Sequence, residues 1–208
     1  MIRKSAMKII FVADIFGVTA ELEDLCQSIC ANHQILDPYQ KQRMYFANEQ
    51  VAYDYFITHV GINGYSRMLQ EYLQTLNEPC VLVGFSVGGV AIWQVLQWLV
   101  SQESLRQRST KLGKLEIKQS ICFYSSQIRH ALAQKIIFPT RIILPKSEPH
   151  FSVENVKAAL INKINVTVEN TAYLHGFMNE LSDNYNEAGC RYYCQKLTQM
   201  IEGNAKSG

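Results

Sequence analysis

The stretch Val81-Leu82-Val83-Gly84-Phe85-Ser86-Val87-Gly88-Gly89-Val90 leaves a chain few ways to fold. Its first half is a short apolar run of the kind buried on both faces of a parallel sheet. The run stops at a serine flanked by glycines in the pattern Gly84-x-Ser86-x-Gly88. Where a buried strand turns this abruptly into a helix, the turning residue takes a strained backbone conformation. Small neighbours are then required, because the helix passes close behind the strand. From Val90 to Val100 the apolar residues Val90, Trp93, Val95, Leu96, Leu99 and Val100 recur at helical spacing. Strand, turn and helix thus come in the order that holds a serine out at the edge of a sheet as a nucleophile. The blander reading is a glycine turn with Ser86 as helix cap, and only partners elsewhere in the chain can decide between the two.

The rest of the chain alternates strand and helix signals. Strands are predicted over Met7 to Val12, His33 to Leu36, Ile117 to Tyr124, Thr140 to Leu144 and Asn165 to Glu169. Helices are predicted from Thr19 or Ala20 to Ala31, over Tyr65 to Leu76, Ser152 to Ile161 and Glu187 to Ile201, with a short helical piece near Ile128 to Ala133. Asp37-Pro38 closes the second strand, since proline disfavours helix in the residue before it. Lys41 to Val60 mixes polar residues with Tyr45, Phe46, Tyr53, Tyr55 and Phe56 at only fair helical spacing. It reads as core or as the wall of a pocket, set off from the next helix by Gly61-x-x-Gly64. The polar segment Ser101 to Lys114 reads as a solvated helix end and loop. This alternation predicts an α/β protein, a three-layer sandwich on a mostly parallel sheet, and the 208 residues are expected to form one domain, 1–208.

A serine nucleophile needs a base to take its proton and a carboxylate to orient that base. When serine leads in chain order, the acid comes next and the histidine last. Of five histidines, His33 and His59 precede Ser86. His175, just beyond the last predicted strand, is better placed over the sheet edge than His130 or His150. No aspartate lies between Ser86 and His175, so the acid must be Glu103, Glu116, Glu148, Glu154 or Glu169. Only Glu148 falls in a loop directly after a buried strand, which selects it. An oxyanion intermediate needs two backbone N–H donors: Val87 offers one, and Ile15 or Phe16, in the loop after the first strand, the other.

Composition excludes other classes. Charged residues are 18% of the chain and the net charge is +2, with Lys and Arg scattered, so neither a nucleic-acid footprint nor a basic membrane patch is present. Met1 to Lys4 followed by Met7 to Val12 has the outline of a secretory leader, but the apolar run is short and Asp14 interrupts it. Gln94 and Gln97 break the most apolar helix, against a membrane span. A cytoplasmic protein acting on a small molecule is expected. The six cysteines include two i,i+4 pairs, Cys26/Cys30 and Cys190/Cys194. Without ligand-spaced histidines nearby, these read as reduced, mostly buried thiols, with no metal and no cofactor.

Taken together, Asp14-Ile15-Phe16-Gly17, Leu36-Asp37-Pro38-Tyr39, Gly84-Phe85-Ser86-Val87-Gly88-Gly89, Phe123-Tyr124 and His175-Gly176-Phe177 resemble the dienelactone hydrolase family of α/β-hydrolases, in register over nearly the whole chain. The resemblance implies Ser86 as nucleophile, Glu148 at the acid position, His175 as base, and Ile15 and Val87 as oxyanion donors. Three departures stand out. Many members carry cysteine at the nucleophile position and glutamate where Asp14 stands; the acid is usually aspartate; and the arginine that follows the histidine in dienelactone-cleaving members is missing from Gly176-Phe177-Met178-Asn179. The expectation is a serine hydrolase for a small ester, lactone or thioester. An acyltransferase and a catalytically inactive binding module on the same scaffold are the alternatives. Asp14 is expected either to hydrogen-bond the resting nucleophile or to order its loop.

Overall fold

In the computed structural model, residues 7–102, 115–133 and 135–206 are described; the leader-like Met1 to Lys4, Glu103 and the basic residues of the 101–114 segment lie outside them. Six strands, β1 (Lys8–Val12), β2 (His33–Leu36), β3 (Cys80–Phe85), β4 (Ile117–Phe123), β5 (Thr140–Leu144) and β6 (Val166–Asn170), form one sheet in the order β2-β1-β3-β4-β5-β6. Every neighbouring pair is parallel. The order reverses between β1 and β3, and in such sheets the crevice beyond the carboxyl ends at that point is where ligands bind.

The two-residue period of the strands divides the core. Ile10, Val12, Leu82, Cys122, Ile142 and Leu144 point to one face and pack on helices α2 (Glu49–His59), α3 (Gly61–Leu73), α4 (Val87–Ser101) and α5 (Val153–Leu160). Ile9, Phe11, Val81, Val83, Ile121, Phe123 and Ile143 point to the other and meet α1 (Ala20–Ile29) and α6 (Glu187–Lys206). Apolar residues on both sides of the central strands are what a covered parallel sheet demands, while the edge strand β6 is apolar only through Val166 and Val168 on one face.

Sequence and structure differ locally. In the aromatic stretch only Glu49–His59 is helical, capped by the Asn48 side chain on Val51 N–H. Before it, Asp37 accepts from Tyr39 N–H (2.8 Å) and Lys41 N–H (2.9 Å), and Gln40, Lys41 and Tyr45 take left-handed conformations, so no helix can run through them. Helix α3 starts at Gly61, four residues earlier than expected, and passes straight through Gly64. Gly61 has φ +62°, which turns the chain out of α2, and nothing crowds Gly64. The piece near Ile128 is a 3-10 turn, Ser126–Ala131.

Buried polar groups sit where they fasten the switch point. The Tyr65 hydroxyl, fully buried, reaches both Ala13 O and Leu36 O at 3.0 Å, tying the ends of β1 and β2 to α3. Removing one partner of a buried hydrogen bond costs the desolvation of what remains. Tyr65→Phe is therefore expected to lower unfolding free energy by about 1–3 kcal/mol, read as a drop in urea midpoint at unchanged m-value; an unaltered midpoint contradicts that role. Gln94 and Gln97 are likewise spoken for, by the Ser66 hydroxyl (2.8 Å) and by Ala131 O (2.7 Å). Among the described residues no helix is long and apolar enough to cross a membrane.

Candidate active site

The loops that leave the carboxyl ends of β1, β3, β4, β5 and β6 converge on Ser86. The strand ladder continues past the strands themselves: Ser86 N–H donates to Phe123 O (3.0 Å), Tyr124 N–H to Ile143 O (2.8 Å), Thr171 N–H to Leu144 O (2.9 Å) and Lys146 N–H to Tyr173 O (2.6 Å). The last of these ties the loop of Glu148 to the loop of His175.

Ser86 itself sits at φ 49°, ψ −116°, a conformation that a non-glycine residue keeps only where its surroundings over-determine it. They do so here through absent side chains. A Cβ on Gly84 would lie 2.5 Å from Gly89 N, and one on Gly88 2.1 Å from Val12 O. The turn thus needs glycine for closeness of approach as much as for backbone freedom.

The Ser86 Oγ is 2.9 Å from His175 Nε2, and His175 Nδ1 is 2.8 Å from Glu148 Oε1. His175 stays in place because Gly176, at φ +83°, turns the chain under it, where a Cβ would strike Ser182 Oγ at 2.3 Å. Asn184 Nδ2 also donates to the His175 carbonyl at 3.0 Å, and the Tyr124 ring lies 5.1 Å from the imidazole. Burial acts most strongly on Glu148 and opposes its ionisation. Hydrogen bonding and charge from His175, the Ser126 hydroxyl and the Arg129 charge together outweigh it, so the Glu148 pKa lies below the ordinary value.

The other described candidates, Glu169, Glu154 and Glu116, are engaged elsewhere. Glu169 takes Tyr193 (2.8 Å), Lys196 and Arg141, Glu154 accepts from Asn170 at 3.0 Å, and Glu116 pairs with Lys118. His130 and His150 are exposed. Ile15 and Val87 line the cleft beside Ser86. Val87 opens α4, where a backbone N–H has no intrahelical partner. Phe16 N–H is already given to Asp14 Oδ1 at 2.9 Å, which leaves Ile15 of the two early-loop donors. The second Asp14 oxygen accepts from Asn179 at 2.6 Å, so its bonds order the loop. Burial raises the Asp14 pKa, while Phe16 N–H, Asn179 and the His175 charge pull the other way.

One residue escaped the sequence reading. Ser126 donates to Glu148 Oε1 and lies 3.1 Å from His175 Nδ1. Its one signal in the sequence is position: like Ser86, Glu148 and His175, it lies in the loop that leaves the carboxyl end of a strand.

The cleft over these groups has a volume of about 640 Å³, within the span of small-molecule pockets. Glu49, Gln50 and Tyr53 form part of its wall, while Phe46 and Tyr55 pack edge-to-face against Tyr39 outside it. A second cavity, about 210 Å³ between α1 and α6, reaches Asp14, Cys190 and Cys194 but none of Ser86, Glu148 or His175. All six cysteines are free thiols. Among the described residues no three His, Cys, Asp or Glu side chains gather closely enough to hold a metal ion.

Solved structures with this architecture include a dienelactone hydrolase-like promiscuous phosphotriesterase from metagenomic libraries (TM-score 0.63, 10% identity, 96% of this chain and 87% of that one covered). The fold is that of the α/β hydrolases. Mouse alpha/beta hydrolase domain-containing protein 10 (TM-score 0.58, 12% identity, 96% and 92% covered) and Est1E from Butyrivibrio proteoclasticus (TM-score 0.56, 8% identity, 98% and 90% covered) share it. In sequence, the chain is 25% identical over 187 residues to the uncharacterized protein YczH of Bacillus subtilis (strain 168), covering 86% of this chain and 85% of that one. No family model matches the sequence. The α/β-hydrolase sandwich expected from the motifs is thus the fold found, and the dienelactone hydrolase likeness extends to the neighbours.

Proposed function

We propose that this protein is a serine hydrolase that cleaves a small ester, lactone or thioester through an acyl-enzyme. The observation that carries the reading is the unbroken hydrogen-bond chain from Ser86 Oγ through both ring nitrogens of His175 to Glu148, at 2.9 and 2.8 Å, opening on a cleft. Glu148 accepts from Nδ1–H, which leaves Nε2 bare to take the Ser86 proton as Oγ attacks the carbonyl carbon. The imidazolium so formed is stabilised by the carboxylate and returns its proton to the leaving group. The oxyanion, in this reading, lies against Ile15 and Val87 N–H, fixed dipoles that need no reorganisation as charge develops. Water, activated by the same histidine, then releases the acid and restores Ser86.

The residues after His175 limit the substrate. Phe177 and Met178 are buried in the core and Asn179 is bonded to Asp14, so this stretch offers no cation to a substrate carboxylate. A fluorophosphonate probe is expected to label Ser86, Ser86→Ala to abolish the label, and a short-chain aryl ester to be turned over after single-exponential acylation. Folded protein that takes no label at neutral pH overturns the reading in favour of a binding module; label without hydrolysis, in the presence of an alcohol or thiol acceptor that is acylated, moves it to an acyltransferase.

A further inference from the structure

The contact between Ser126 and the imidazole has a chemistry of its own. An ionised carboxylate has no proton to give, so in the Ser126–Glu148 hydrogen bond the hydroxyl is the donor. Its one proton spent, Oγ faces His175 Nδ1, 3.1 Å away, with lone pairs only. Nδ1–H therefore has two acceptors, Glu148 Oε1 at 2.8 Å and Ser126 Oγ, supplied by loops from two different strands. We propose that Ser126 is a positioning residue for His175, its hydroxyl serving as a second acceptor that holds the Nδ1–H tautomer alongside Glu148. This rests on the triad reading above.

A hydroxyl can do this only if it is held, and Ser126 is held from three sides. Its N–H donates to Tyr124 O at 2.9 Å, and its carbonyl accepts from Arg129 Nη1 at 2.9 Å. The Arg129 guanidinium lies 4.6 Å above the Phe151 ring, and Phe151 is bridged through the backbone to Glu148 itself, so the turns bearing the two acceptors are clamped to each other. At its far end the 3-10 turn is fixed to α4, where Ala131 O accepts from Trp93 Nε1 (3.1 Å) and Gln97 Nε2 (2.7 Å). A stacked, bonded guanidinium fixes geometry better than a mobile cation would.

A Ser126 that merely props up Glu148 would have no effect once the carboxylate is gone, whereas a second acceptor would matter more. In Glu148→Ala the hydroxyl proton turns to the other acceptor in its reach, Tyr124 O at 3.4 Å, and Oγ is left as the sole acceptor for Nδ1–H. The test is a double-mutant cycle on aryl ester hydrolysis, read with ¹⁵N NMR of His175 at a pH where the ring is neutral. Ser126→Ala alone is expected to lower kcat about tenfold, the scale of one hydrogen bond to the reacting assembly, with KM within about twofold. Ser126→Thr, which keeps the hydroxyl, is expected to recover most of that loss. In the Glu148→Ala background the Ser126→Ala step should cost more than it does in wild type, and the Nδ1–H tautomer should persist in Glu148→Ala and give way to Nε2–H in the double variant. If that step costs nothing without Glu148, or if the tautomer is unchanged in the double variant, the inference is overturned. The tautomer measurement needs no turnover, so it decides the matter even for a protein that fails to label or hydrolyse, where the triad reading has failed instead. Near-UV circular dichroism of each variant separates both from loss of fold.

Discussion

Glu148→Gln is expected to lower kcat by on the order of 10²–10⁴ with a much smaller change in KM, whereas Glu154→Gln and Glu169→Gln leave kcat within about twofold. A triad acid works in the transition state, where the imidazolium forms, and adds little to ground-state binding of a neutral ester; the loss should therefore fall on kcat. Glu169 is bonded to Tyr193, Lys196 and Arg141 and Glu154 to Asn170, away from the imidazole, so their carboxylates have nothing to give the reaction. The partly exposed ion pairs of Glu169 with Lys196 and Arg141 contribute about 0–1 kcal/mol to stability. Steady-state kinetics on purified variants checks the order. A wild-type kcat in Glu148→Gln, or a collapse in Glu169→Gln, removes Glu148 from the acid position. The substitution also has a pH signature. The folded pKa of Glu148 is below its ordinary value of 4.5, so its ionisation stabilises the fold above the unfolded pKa, and that contribution is lost as pH falls through the folded one. The stability gap between wild type and Glu148→Gln should narrow on acidification below about pH 5, as followed by urea midpoints; a gap that widens contradicts the shift.

The largest effect on folding is expected at the elbow. In Gly88→Ala the new methyl would stand 2.1 Å from Val12 O and 2.5 Å from Ala13 O. Neither oxygen can retreat. Val12 is the last residue of β1, in register with both Leu36 and Gly84, and Ala13 O holds the Tyr65 hydroxyl. Relief requires α4 to lift off the sheet, opening the core around Ile92, Trp93 and Leu96, all fully buried. A cost above about 4 kcal/mol follows, in the range reserved for broken cores, enough to leave little folded protein given a typical total of about 5–15 kcal/mol. The control is Gly64→Ala: its nearest neighbour would be Val60 at 3.7 Å, and alanine in a helix interior should stabilise by up to about 1 kcal/mol. Thermal unfolding of the two variants side by side decides it, and a Gly88→Ala protein melting near wild type contradicts the packing argument.

The elbow was legible because each of its parts is local: an apolar run, a glycine on either side of Ser86, and a helix of period 3.6 immediately after. The alternation of strand and helix that makes the α/β sandwich is local for the same reason. Where hydrophobic period and structure part, the cause is also local but chemical. Residues 39–41 are bent by the Asp37 side chain's hold on two backbone N–H groups, and Gly61, at φ +62°, ends α2 and opens α3 in the same step, so no linker precedes Tyr65.

The sequence by itself determined the fold class, the strained serine, and the short roster of histidines and glutamates from which partners could come, because hydrophobic period and chain order are properties of the string. Only the tertiary structure decided which of them meet. Lys146 N–H on Tyr173 O draws the Glu148 loop against the His175 loop, while strand pairing turns Glu169 toward Lys196. Ser126 reaches the imidazole only because β4 lies between β3 and β5, 49 residues away in sequence from His175. Hydrogen bonds of that span depend on register between strands, which is set by the whole sheet at once and leaves no mark at either residue.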